Sequence, residues 1–113
     1  MKARGTNGQF ELDGKQLIIH RKGILASMSQ DGGGEVTVPV LHIKAIEFRS
    51  ASIFRSGYLR VVVEGENQSG TGLWQATRDP YAVMFKLGRQ QRAFKKFRDS
   101  LEKSMVKQAR RQR

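Results

Sequence analysis

Residues 86–113 constrain the fold of this chain most, because they form a single amphipathic helical segment at its end. At about 100° per residue, four apolar side chains fall within an arc of roughly 80°, and these are Phe94, Phe97, Leu101 and Met105. Six basic side chains fall on the opposite side, with Asp99 as the single acid among them: Arg89, Arg92, Lys96, Lys103, Lys107 and Arg110. The pattern predicts a helix over about 89–108 that closes a core with one side and faces solvent with the other.

The same segment carries most of the net charge of the chain. It holds eleven Lys or Arg and two acids, a net charge of +9, whereas residues 1–85 hold ten Lys or Arg and eight acids, a net charge of +2. A charge concentrated in this way favours a polyanionic partner, which is a nucleic acid, an anionic lipid surface or an acidic protein. Solubility alone is the alternative explanation, because net charge constrains association and not mechanism.

Length and composition indicate one globular domain with a single core, since the chain has 113 residues, of which 38% are hydrophobic and 27% charged. No apolar run approaches the roughly 20 residues of a membrane span, and no apolar segment follows the basic start as in a signal peptide. The absence of cysteine excludes disulfides, thiolate metal sites and a cysteine nucleophile. We therefore expect a cytoplasmic protein.

The residues before the helix alternate between polar and apolar in short runs, which predicts antiparallel strands. We expect a flexible segment over 1–8 and strands over 9–12, 15–21, 35–40, 41–49, 57–65, 73–77 and 82–87. Asp13-Gly14 predicts a tight hairpin, and Pro39 places its strand at an edge or ends it in a bend. Alternation predicts that Leu41, Ile43 and Ala45 point inward, with Phe48 joining them after a slip in register.

Two segments between these strands have alternative interpretations. Three glycines follow Asp31, but a strand and not a helix comes next, so a flexible turn is favoured over a phosphate-binding loop. The apolar pair Ile53-Phe54 lies in a turn, where it either tucks back onto the core or stays exposed as a contact patch. We expect it to tuck.

About seven antiparallel strands followed by one amphipathic helix predict an α+β fold in which the helix closes a strongly bent sheet. The chain resembles a bacterial pleckstrin-homology-like (PH-like) domain family of unknown function in these stretches: GQFELDGKQLIIHRKG (8–23), VPVLHIKAIEF (38–48), GYLRVVVEG (57–65), DPYAVMF (79–85) and FKKFRDSLE (94–102). The resemblance implies a PH-like split barrel capped by its last helix and an interaction role without a known ligand. On this basis the domain spans 9–106, and residues 107–113 form a basic tail that departs from the family pattern.

Catalytic chemistry finds little support in the sequence. His20 and His42 lie inside strand patterns without carboxylate partners nearby in sequence, and neither has a second ligand at metal spacing. The serines lie in loops or at strand ends with no nucleophile elbow around them. We therefore expect a non-enzymatic protein without a metal or cofactor.

Three binding functions remain. We favour a protein-binding adaptor with an acidic partner, and non-specific nucleic-acid binding through the helix is the alternative. The candidate residues on the helix face and tail are Arg89, Arg92, Lys96, Lys103, Lys107, Arg110, Arg111 and Arg113. Anionic lipid binding is less favoured, because in phosphoinositide-binding PH domains basic residues flank the first hairpin loop and the match here, Lys15, Arg21 and Lys22, is partial.

Overall fold

The fold is taken from a computed structural model of the full chain, and the structure describes residues 1–21, 35–65 and 80–111. The elements in chain order are β1 (Lys2–Arg4), β2 (Gly8–Asp13), β3 (Gln16–Arg21), β4 (Glu35–Pro39), a 3-10 helix (Val40–His42), β5 (Ile43–Arg49), β6 (Gly57–Val63), β7 (Ala82–Phe85) and α1 (Arg89–Arg111).

The strands form two antiparallel sheets. One contains four strands in the order β1-β2-β3-β4, and the other contains three in the order β5-β6-β7. Every neighbour in each sheet is also the next described strand in sequence. Two antiparallel sheets followed by one C-terminal helix confirm the α+β prediction.

The chain passes from the first sheet to the second at Pro39. Pro39 is the last residue of the edge strand β4, and the 3-10 helix follows at once. The Val40 amide donates to the Lys15 carbonyl (2.8 Å), and the Glu64 amide donates to the His42 carbonyl (2.9 Å). These bonds hold the 3-10 helix to a connection in each sheet. The predicted bend at Pro39 is confirmed, and β4 is the outermost strand of its sheet among the described residues.

The sheets also meet at the start of the chain. The Thr6 amide donates to the Met84 carbonyl (2.7 Å), and the Met84 amide donates to the Asn7 side-chain oxygen (2.8 Å). The turn between β1 and β2 therefore binds the backbone of β7, which joins the two sheets at a second corner.

The core lies between the sheets and is closed by α1. Phe97 packs against Phe10 of β2, with ring centroids 5.6 Å apart, and Phe94 stacks on Phe85 of β7 at 4.8 Å. Phe94, Phe97 and Leu101 are fully buried, and Met105 packs against the same cluster. The predicted apolar stripe of the helix is confirmed, and the buried Gln108 extends it by one turn.

The start of α1 is fixed by backbone and side-chain contacts. Gly88 has φ = +99°, a left-handed conformation that favours glycine and turns the chain from β7 into the helix. The Gln91 side-chain oxygen accepts a hydrogen bond from the buried Ala51 amide (2.6 Å), and that of Gln90 accepts one from the Lys86 amide (2.8 Å). These contacts set the helix against the end of β5.

Both ends of the chain are more regular than predicted. Residues 1–8 were expected to be flexible, but Lys2–Arg4 forms an edge strand in which Ala3 is buried opposite Phe10. The helix continues to Arg111, so most of the segment 107–113 is helical and not a separate tail. The predicted strand over 73–77 and the glycine loop after Asp31 lie outside the described residues.

The alternation in β5 was partly mispredicted. Ile43 is buried, but Leu41 lies exposed in the 3-10 helix and Ala45 is also exposed. A register shift between Ile43 and Ala45 changes which side chains point inward. Phe48 then stacks on Phe85, with ring centroids 5.4 Å apart. The expected slip in register and the inward position of Phe48 are therefore confirmed.

The Ile53-Phe54 pair does not tuck onto the core, so that prediction is wrong. Ser52 and Arg55 form an isolated antiparallel bridge, with the Ser52 amide donating to the Arg55 carbonyl (2.8 Å). This bridge leaves Ile53 and Phe54 as the two residues of the turn, pointing away from the sheets, with 79% and 91% of their surfaces exposed. A turn this short cannot fold its own tip back onto the core.

The β2–β3 hairpin forms at the predicted place, but its loop consists of Gly14 and Lys15 and not of the expected Asp13-Gly14. Asp13 pairs with Gln16 across a two-residue loop, and Gly14 at the first loop position has φ = +60°. Glycine at that position with a positive φ is the requirement of a type II′ turn, whose twist matches the flanking strands.

Gly57→Ala is expected to destabilise the domain. A Cβ atom on Gly57 would collide with the Arg49 carbonyl oxygen and would lie 2.7 Å from both the Ala51 amide nitrogen and a ring carbon of Phe85. Overpacking of this kind costs about 1–3 kcal/mol of unfolding free energy, which urea denaturation measures. Ser56→Ala, one residue away, is the control, and equal stability of the two variants would contradict the close packing at Gly57.

Candidate functional site

The outer side of α1 presents a row of six cations, here called the basic face. It consists of Arg89, Arg92, Lys96, Lys103, Lys107 and Arg110. All six side chains are exposed. At about 100° and 1.5 Å per residue they fall within an arc of roughly 60° and span about 32 Å along the helix axis. The core stripe lies on the other side of the same helix, so the fold determines where the basic face points.

The cations of the basic face are not neutralised by the described part of the protein. None of the six forms an ion pair within 4.0 Å with any residue in the ranges 1–21, 35–65 and 80–111. Asp99, which lies on the same side of the helix, pairs with Arg98 at 3.3 Å. The guanidinium of Arg98 also lies 4.6 Å from the centre of the Phe48 ring, beside the apolar stripe of the helix. The basic face therefore keeps its positive potential for an external anion.

Sequence reasoning missed Lys2 as a neighbour of the basic face. Lys2 and Met1 line one shallow depression together with Arg89, Arg92 and Lys96. Because residues 1–8 were expected to be flexible, Lys2 had no predicted position. Strand β1 places it beside the first half of α1, so the positive surface is broader than the helix alone.

The end of the helix adds one further cation. Arg111 is exposed in the last turn of α1 and borders the basic face. Arg113 lies outside the described residues.

The predicted hairpin-loop site is not assembled by the described residues. Lys15 and Arg21 lie at opposite ends of β3, about 20 Å apart at 3.3 Å per residue. Lys15 is exposed in the hairpin, whereas Arg21 donates from Nη1 to the Ala82 carbonyl (3.1 Å) and is engaged in the fold. Lys22 lies outside the described residues.

His20 has carboxylate neighbours that the sequence did not indicate. Its Nδ1 lies 3.2 Å from Glu35 of β4, and its Nε2 lies 3.5 Å from Glu11 of β2. The three side chains form a row across β2, β3 and β4, and the histidine bridges the two carboxylates. No group of three potential ligands suited to a metal ion is found among the described residues. His42 is exposed at the end of the 3-10 helix.

One ion pair within the three-stranded sheet has a buried cation. Arg60 of β6 lies directly opposite Glu47 of β5, with Nη1 3.7 Å from Oε2, and only 3% of the surface of Arg60 is exposed. The Glu47 side chain keeps 28% of its surface exposed. Because the two residues pair across neighbouring strands, we interpret them as part of the sheet and not as a functional site.

Within the described part of the chain, no helix combines the length and the apolar composition that a bilayer crossing needs. No curated protein and no solved structure matches the sequence. One family does match, over residues 10–102, which include β2 through most of α1 and every core element except β1. The match covers most of the chain, and the protein therefore belongs to the family described as "Domain of unknown function (DUF4429)".

Proposed function

We propose that this protein is a non-catalytic adaptor that binds an acidic segment of another protein along the basic face of α1. The observation that carries the proposal is the row of six exposed cations, about 32 Å long, without an ion-pair partner among the described residues. Surface charges of this kind steer association and select partners of opposite sign.

The spacing of the cations favours a partner of regular shape. Successive members of the basic face are separated by three, four, seven, four and three residues. These separations keep the side chains on one stripe of a straight helix. A partner helix that repeats Asp or Glu at the same spacing aligns a carboxylate with each cation, so an acidic amphipathic helix is the partner chemistry we favour.

The proposal extends to the architecture and setting of the domain. A four-stranded and a three-stranded antiparallel sheet closed by a C-terminal helix support the PH-like split barrel that the sequence resemblance implies. An adaptor built on such a barrel needs no catalytic group and acts where its protein partner resides, which we place in the cytoplasm.

A pull-down with three baits tests this function. The wild-type domain, after nuclease treatment and at moderate salt, should recover an acidic protein that a Lys96→Glu, Lys103→Glu, Lys107→Glu variant does not recover. A second variant, Arg4→Glu, Lys15→Glu, Lys44→Glu, makes the same change in net charge at exposed sites outside α1 and should recover the partner as well as the wild type does. Equal recovery by all three baits would rule out the basic face as the binding surface.

Nucleic-acid binding is the second candidate, favoured by the density of exposed cations on one helix. Phosphate contacts of this type are independent of sequence and weaken steeply with salt. The phenylalanines of α1 are buried and Tyr58 is nearly so, which leaves these rings unavailable for base stacking. Binding of duplex DNA at low salt should fall in the variant with three reversed helix lysines, and unchanged binding would exclude this face as the DNA-binding surface.

A further inference from the structure

The turn between β5 and β6 forms an apolar tip, defined here as Ile53 and Phe54. The Ser52–Arg55 bridge closes the turn, and the Phe54 amide donates to the Ser52 hydroxyl (3.2 Å), so the tip has an ordered shape. Leu87, 48% exposed, borders the same depression as the tip. Exposure of two large apolar side chains to water is unfavourable, and neither side chain is relieved of this cost by packing on the domain.

The surroundings of the tip are cationic and polar. The depression beside it is lined by Arg55 and Lys86 and by the hydroxyl-bearing residues Ser52 and Ser56. The two described segments that line this depression, 52–56 and 86–87, contain no Asp or Glu. An apolar projection beside two cations and two hydroxyl groups complements a bilayer, which has an apolar interior and, with anionic lipids, a negative, hydrogen-bonding surface.

We propose that the apolar tip inserts into the surface of an anionic phospholipid bilayer. Phe54 and Ile53 enter the boundary between headgroups and acyl chains, while Arg55 and Lys86 bind lipid phosphates and the serine hydroxyls donate to the same groups. Insertion is shallow, because the tip is a turn of two residues. This site uses none of the residues of the basic face, so it is independent of the proposed adaptor function and adds membrane attachment to it.

The convex shape of the tip favours a bilayer over a folded partner. A folded protein must supply a cavity that fits both side chains, whereas acyl chains rearrange around any apolar projection. A second copy of this chain brings like charges together, since Arg55 and Lys86 of each copy would face the other copy. An anionic bilayer meets both requirements, an adaptable apolar interior and a negative surface.

Vesicle co-sedimentation tests the proposal. The wild-type protein should bind vesicles that contain equal amounts of phosphatidylcholine and phosphatidylglycerol more strongly than vesicles of phosphatidylcholine alone. Ile53→Ser with Phe54→Ser should reduce the partition coefficient on the mixed vesicles by about a factor of ten, because two apolar side chains no longer leave water. The matched control, Leu41→Ser with Val106→Ser, removes two exposed apolar side chains elsewhere and should bind as the wild type does.

Fluorescence separates insertion from charge attraction. A Phe54→Trp variant in which Trp74, the single tryptophan of the chain, is changed to Phe carries its only indole at the tip. With mixed vesicles, its emission should shift to shorter wavelength and should be quenched by lipids brominated on the acyl chain.

Three results would overturn the proposal. One is equal vesicle binding by the wild type and the tip variant. If the variant with three reversed lysines on α1 then fails to bind, charge attraction by the basic face accounts for the vesicle binding. Another is an indole at position 54 that stays unquenched on bound vesicles. The third is a dimer in sedimentation equilibrium that the tip variant converts to a monomer, which would identify a second copy as the occupant.

Discussion

Phe97→Asp is expected to unfold the domain or to leave it barely stable. Phe97 is fully buried and its ring lies against Phe10 at the centre of the core. Truncation of a buried phenylalanine costs about 3–5 kcal/mol, and the unpaired carboxylate adds its own desolvation cost. The sum, on the order of 5 kcal/mol, is comparable with the whole stability of many small domains. Urea denaturation followed by circular dichroism measures this loss.

Lys96→Asp is the matched control for this prediction, because it introduces the same side chain one position away on the exposed side of α1. Its unfolding free energy should remain within about 1 kcal/mol of the wild type. A Phe97→Asp protein that melts at the wild-type temperature would show that α1 does not close the core.

Charge reversal on the basic face is expected to have the opposite result, with binding lost and the fold kept. Lys96, Lys103 and Lys107 are exposed and form no ion pair with a described residue, and lysine and glutamate have similar helix propensities. The melting temperature of the triple glutamate variant should therefore stay within about 3 °C of the wild type. Three attractive contacts become repulsive, so affinity for the acidic partner should fall about 100-fold.

Salt dependence provides a second measure of the same contacts. Surface charge interactions are screened over about 10 Å at 0.1 M salt, so wild-type binding should weaken as salt is raised. The triple variant should show a shallower dependence on salt. A partner whose wild-type affinity does not change with salt would not be held by the basic face.

The helix and most of the strands were predictable because their signals are periodic and local. The positions of Phe94, Phe97 and Leu101 follow from the helical repeat alone. The hairpin at Asp13-Gly14 and the bend at Pro39 follow from the conformational limits of glycine and proline.

The elements that were missed depend on distant contacts. Strand β1 contains only three residues and is stabilised by pairing with β2 and by burial of Ala3, neither of which leaves a local signal. The exposure of Ile53 and Phe54 depends on closure of the turn by Ser52 and Arg55. Apolar residues in a turn predict burial on average, and a functional surface is where that expectation fails.

The residues of the candidate site also fall into a part that the sequence predicts and a part that it does not. Exposure of the basic face could be predicted, because it follows from the burial of the opposite side of one helix. The contribution of Lys2 could not be predicted, because it depends on the pairing of β1 with β2. The separation of Lys15 from Arg21 follows from the strand predicted over 15–21, so the sequence already argued against a hairpin-loop site made of both residues.

The central claim is that α1 closes the core with one side and binds an acidic protein with the other. The ratio of two dissociation constants tests this claim most directly. The constants are those of the recovered partner for the triple helix variant and for the variant with Arg4, Lys15 and Lys44 changed to glutamate, measured by calorimetry at the same salt concentration. The account predicts that the helix variant binds about 100-fold more weakly than its charge-matched control while both remain folded. Equal dissociation constants would contradict it, since net charge alone would then explain the binding.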